Sequence, residues 1–70
     1  MKLSARNTLK GNVVSVEKGA VNGIVKIELA QGLVVTSSIT NNAIEELGLV
    51  EGKEAYAVIK ASNVMIGVDE

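Results

Sequence analysis

An all-β domain with one short helix is the fold class that three observations predict. Val, Ile and Leu dominate an apolar fraction of 47% in a chain of 70 residues. Short β-branched runs recur between glycines, several with period-two alternation. The period turns helical at one place, between the third and fourth runs.

Proline is absent, so the seven glycines punctuate the chain. Leu9 to Glu17 is the first expected strand, with Val14 and Val16 on one face beside Lys10 and Asn12, and Val13 on the other. This imperfect alternation fits a strand that bends or is covered on both sides. Lys18 to Gly23 turns the chain, and Asn22-Gly23 has the residues of a tight hairpin turn. Ile24 to Ala30 alternates well, with Val25, Ile27 and Leu29 on one face and Lys26 and Glu28 on the other. Gln31-Gly32 makes the next turn, and Leu33 to Ile39 is a third strand that becomes hydroxyl-rich.

Thr40 to Gly48 reads as the helix. Thr40 or Asn42 can cap it, and Asn42 with Glu45 has capping-box spacing. Ile44 and Leu47 are placed to face the core, and Gly48 is a natural stop. Glu51-Gly52-Lys53 turns the chain into a fourth strand, Glu54 to Lys60. A fifth is expected over Asn63 to Val68. Three strands, a helix and two strands match the order of a small five-stranded OB-type barrel, with a five-stranded SH3-like sandwich as the runner-up. The whole chain, 1–70, reads as a single domain.

A domain this small buries only ~60% of the surface its unfolded chain exposes. Cysteine and histidine are both absent, which removes disulfides, zinc-finger patterns and the commonest catalytic base. Oligomerisation is the remaining source of extra stability, and it suits the apolar excess. The net charge is −1, with both signs spread along the chain. No apolar run approaches the ~20 residues of a membrane span, and Met1-Lys2-Leu3-Ser4 opens no signal peptide. A cytoplasmic protein with no membrane partner is expected.

Catalysis has little to stand on. Glu45 and Glu46 are adjacent on a helix and do not share a face, so solvated charges at a favourable dipole end explain them. Asp69-Glu70 is too sparse for a calcium or magnesium site. Single-strand nucleic-acid binding needs stacking aromatics and a basic groove, but Tyr56 is the only aromatic. A small anion is better served. The start of the Thr40–Gly48 helix presents free N–H groups and the Thr40 hydroxyl. Lys60 ends a strand beside Ser62, and an N-terminal arm carries Ser4 and Arg6. Guanidinium, ammonium, hydroxyl and amide donors together are what an oxyanion needs.

The segments SARN at 4–7, VEKGAVNGIVKIELAQG at 16–32, SIT at 38–40, EELGLVEGKE at 45–54 and AVIKASNVMIG at 57–67 together resemble the molbindins, small molybdate-binding proteins of the Mop family. The resemblance covers nearly the whole chain, and SARN combined with IKAS is its specific part. It implies an OB-type barrel, exchange of first strands between neighbours, and a hexamer built as a trimer of dimers. It further implies molybdate or tungstate bound at subunit interfaces. No enzyme activity is expected from the residues, and a pocket of small donors is expected to take no organic cofactor. The principal site is then expected to use Ser4 and Arg6 from SARN, Lys60 with the Ala61 backbone and Ser62 from IKAS, and Thr40 with the Ala43 N–H at the helix start. A second site, on the threefold axis, is expected to be lined by Gly19, Ala20, Val21 and Asn22 through backbone donors. With no helix-turn-helix or nucleotide-binding segment in the 70 residues, storage and homeostasis are expected rather than regulation or transport. The alternative is an interaction module of the same fold with a vestigial anion site. With no histidine to titrate, binding is expected to persist across neutral pH.

Overall fold

The computed structural model describes residues 1–69; Glu70, half of the Asp69-Glu70 pair weighed above, lies outside the described residues. The chain runs β1 (Asn7–Lys18), β2 (Asn22–Ala30), β3 (Leu33–Thr40), α1 (Asn41–Glu46), β4 (Glu54–Ile59) and a 3-10 turn at Ala61–Asn63. The strands form one antiparallel sheet in the order β3-β2-β1-β4. The helix falls where the change of period placed it.

β1 is the long central strand, and Asn12 pairs with both Glu28 and Glu54. The register shifts between Val13 and Ser15. This bulge changes the expected facing. Val13 pairs with Ile27 and Val16 with Val25, so both valines face inward, while Val14 is left exposed. One inserted residue bends the strand and exchanges its faces. Val13, Val25, Ile27 and Ile44 form the buried cluster, with Val16, Leu29, Ile39, Leu49 and Ala55 packed against it.

Asn22-Gly23 is not the hairpin turn. Both residues lie in β2, where Gly23 pairs with Lys18 and Ile39. Positive φ occurs instead at Gly32, Gly48 and Gly52, in the turns expected around them. Gly23 is glycine for a different reason. A Cβ there would meet Ile44 Cδ1 at 2.6 Å and the Glu17 carbonyl at 2.8 Å. The helix therefore rests directly on the β2 backbone.

The fifth strand is not formed in the single chain. Ala61–Asn63 coils into a 3-10 turn, and residues 64–69 pair with nothing among the described residues. Their side chains are bare, with Met65 92%, Ile66 87% and Val68 86% exposed. Residues 63–68 carry an apolar pattern in sequence, but pattern alone forms no strand without an edge and an apolar surface to receive it. The sheet is an open half-barrel, and its inner face leaves a groove of about 650 Å³. Val25, Ile27, Val35, Ile39, Ala57 and Ile59 line it. Leu47, expected in the core, sits at the mouth of this groove and stays 59% exposed. Among the described residues, no helix is long and apolar enough to cross a membrane.

Candidate functional site

The expected anion-binding residues fall into two groups at opposite ends of the sheet. The first lies where β1 begins and β4 ends. Asn7 pairs with Ile59, and its side-chain Nδ2 donates to the Ile59 carbonyl at 3.2 Å. Arg6 immediately precedes Asn7 and Lys60 immediately follows Ile59, so the arm and the IKAS segment both leave the sheet at this end. Lys60 then leads into the 3-10 turn that carries Ala61 and Ser62, closed by Asn63 N–H donating to the Lys60 carbonyl at 2.9 Å. Ser4, Arg6, Lys60, Ala61 and Ser62 are all exposed.

Their charge is uncompensated. Lys10 pairs with Glu54 at 3.2 Å and Lys18 with Glu45 at 3.1 Å. Glu54 beside Lys10 holds that ammonium's pKa above its ordinary value, first through their hydrogen bond and then through charge attraction. Lys53 Nζ donates to the Leu47 carbonyl at the end of α1. Among the described residues, Arg6 and Lys60 have no carboxylate or carbonyl partner. Two unpaired cations at one end of a sheet are an anion's natural counter-charge.

The second group lies where β1 ends and β3 ends. Lys18 pairs with Gly23, and Asn22 with Thr40. Thr40 caps α1, accepting the Ala43 N–H at 3.1 Å, so of the two expected caps Thr40 serves and Asn42 does not. Glu45 turns to Lys18 rather than completing a capping box. The Gly19–Asn22 turn lies against this helix start. Gly19 N–H donates to the Asn22 carbonyl at 2.9 Å, Asn41 N–H to the Val21 carbonyl at 2.8 Å, and Asn41 Nδ2 to the Gly19 carbonyl at 2.8 Å.

Within one chain the two groups do not meet. Asn7 and Lys18 are the two ends of the twelve-residue β1, about 35–37 Å apart at strand rise. The longest dimension of the molecule is 38 Å. No tetrahedral oxyanion spans that distance. Ser4, Arg6, Lys60, Ala61 and Ser62 thus lie on the segments that flank the Asn7–Ile59 end of the sheet, and Thr40 and Ala43 lie with Gly19–Asn22 at the other.

Sequence reasoning missed Asn41. Its signal was the double asparagine after Thr40, of which the first, at the opening of α1, reaches back to the turn. Its Oδ1 is buried without a partner, close to where a Gly23 side chain would begin. Such an orphan acceptor costs about 1–3 kcal/mol. Among the described residues no cluster of three or more His, Cys, Asp or Glu side chains is placed to hold a metal.

A small open β-sheet domain carrying one short helix, with oxyanion-suited donors at each end, defines the class. Residues 3–66 match the TOBE domain. A probable molybdenum-pterin-binding protein of Haemophilus influenzae is 56% identical over 69 residues, covering 99% of this chain and 100% of that one. The solved structure of MopII from Clostridium pasteurianum superposes with a TM-score of 0.88 at 48% identity, covering 96% of this chain and 100% of that one. The cytoplasmic molybdate-binding protein ModG, solved with molybdate bound, gives a TM-score of 0.93 at 52% identity, covering 99% of this chain and 49% of that one. The chain therefore belongs to the TOBE-domain family and, within it, to the Mop proteins, or molbindins.

Proposed function

We propose that this single-domain protein binds molybdate or tungstate between subunits of a homo-hexamer, a trimer of dimers, and serves cytoplasmic storage and homeostasis of the anion. It performs no catalysis and takes no organic cofactor, nucleic acid or membrane. The observation that carries this reading is the free Arg6–Lys60 pair at one end of β1, with the expected remaining donors a sheet's length away. Family membership supports the anion, since the Mop and ModG relatives are named for molybdenum or molybdate.

Arg6 supplies permanent charge in a planar donor fork, and Lys60 adds a point charge. Ser4, Ser62 and the Ala61 N–H give neutral donors on the same side. Thr40 and the Ala43 N–H of another copy complete the shell. In the isolated chain that N–H is turned to the Thr40 hydroxyl. An arriving oxygen accepts from Ala43 while the hydroxyl rotates to donate as well. Sulfate shares shape and charge but is smaller, so a closed interface discriminates by fit.

Strand exchange supplies the assembly. The tail leaves Met65, Ile66 and Val68 bare, and each chain leaves an open apolar groove. Exchange of first strands brings the tail of one copy, residues 63–68, onto the half-barrel of its neighbour as the fifth strand. Burying those three side chains is worth about 4.5–9 kcal/mol before the cost of ordering the tail.

Native mass spectrometry with molybdate, against a sulfate control, tests the reading. A hexamer that gains several molybdate masses and no sulfate supports it. Arg6→Ala with Lys60→Ala is expected to lower uptake at the principal site at least a hundredfold with the hexamer intact. A hexamer that takes up neither anion favours the interaction module, and a monomer removes the interface site altogether.

A further inference from the structure

We propose that Asn41 is the positioning residue of the Gly19–Asn22 turn, holding its carbonyls inward so that the Ala20 and Val21 N–H groups are left to receive an oxyanion. The inference rests on reading that turn as an anion site.

The polarity of the turn is the starting point. A tight turn exposes carbonyl oxygens as readily as N–H groups, and carbonyl lone pairs repel a dianion. Here three of the four carbonyls are occupied, all but that of Ala20. Asn22 O accepts from Gly19 N–H at 2.9 Å, Val21 O from Asn41 N–H at 2.8 Å and Gly19 O from Asn41 Nδ2 at 2.8 Å. Two of the three bonds come from one residue. By contrast, Ala20 and Val21 are exposed, and no acceptor among the described residues takes their N–H groups. The turn is donor-out, the polarity by which successive backbone amides hold anions.

Asparagine suits this position where close relatives of its shape fail. Alanine lacks the side-chain donor, and aspartate would set a carboxylate against the Gly19 carbonyl. The amide cannot flip, because Oδ1 would then face that same oxygen. Its fixed orientation leaves Oδ1 buried and unpartnered over Gly23. That orphan atom is the price of the bond to Gly19. Gly23 makes the arrangement possible, since its Cβ would lie 3.2 Å from Asn41 Oδ1. Asn41 thus belongs to the anion chemistry without touching the anion.

The experiment isolates the turn. Arg6→Ala with Lys60→Ala removes the arm cations, and molybdate is titrated calorimetrically into that hexamer with and without Asn41→Ala. Asn41→Ala is expected to weaken the remaining binding at least tenfold, with melting temperature and assembly mass unchanged. Equal affinity overturns the role of Asn41 and leaves the turn reading standing. No binding by the Arg6→Ala, Lys60→Ala protein overturns the turn reading itself, and the role of Asn41 with it. Should Asn41→Ala fail to fold, nitrogen-15 spectra of the unaltered protein decide. Molybdate is expected to shift the Ala20 and Val21 amide resonances while the Asn41 side-chain amide protons exchange slowly with solvent. Unshifted Ala20 and Val21 amides, or Asn41 protons exchanging as fast as those of a free amide, overturn it.

Discussion

At the scale of single residues, the glycines separate local from non-local causes. Gly32, Gly48 and Gly52 adopt positive φ, and each was legible because a turn glycine does its work among its chain neighbours. Gly23 misled because Asn-Gly is a strong local turn signal, whereas what holds the glycine there is contact with Ile44, twenty-one positions on. A prediction follows from that contact. Gly23→Ala places a methyl 2.6 Å from Ile44 Cδ1 and 2.8 Å from the Glu17 carbonyl, and the backbone oxygen has no room to yield. The expected loss is about 2–3 kcal/mol in urea unfolding at fixed protein concentration. Gly67→Ala meets nothing within 4 Å and is expected to leave the midpoint within the error of the same measurement. The free state of Arg6 and Lys60 was only half visible in sequence. Residue types announced an anion, but which cations were already spent on Glu54, Glu45 or the Leu47 carbonyl depended on the fold.

At the scale of elements, α1 is the least self-sufficient piece. Six residues are far below the length at which a helix persists alone. It is held by the Thr40 cap, by Ile44 in the core, by Lys18 on Glu45 and by Lys53 on the Leu47 carbonyl. Thr40→Ala removes the cap and is expected to cost about 1 kcal/mol, read as a lowered melting temperature. Thr40→Ser keeps the hydroxyl and is expected to recover most of it. If Thr40 also meets the anion, molybdate will raise the melting temperature of the serine variant as it does the parent, and that of the alanine variant less. A cap with no role toward the anion gives equal increments in all three. The helix itself was readable from the change of period and the Thr40 and Gly48 boundaries. The bulge in β1 was not, because the pattern of Val13, Val14 and Val16 is compatible with either face until the partner register is known.

At the scale of the whole molecule, much apolar surface is left uncovered. Among the described residues only Val13, Val25, Ile27, Ile44 and Ala57 are buried hydrophobics, while Met65, Ile66 and Val68 are almost fully bare. The apolar composition had pointed to burial against other copies, but composition cannot say which segment leaves its own chain. The fifth strand, expected over Asn63 to Val68, is not part of the sheet, which holds four strands among the described residues. Deleting residues 64–70 tests what that tail does. If it closes a neighbour's half-barrel, the truncated protein will run as a monomer or dimer in sedimentation at micromolar concentration, and it will lose molybdate uptake although Arg6 and Lys60 remain. Ile66→Asp puts a charge into the proposed fifth strand without shortening the chain and is expected to do the same. A truncated protein that still sediments as a hexamer and still binds would make the tail a bystander. The closure of the sheet would then have to come from the first strands alone. Loss of assembly with loss of binding would instead tie the two ends of β1 together: donors a sheet's length apart in one chain become a single site only when a second chain brings them into register.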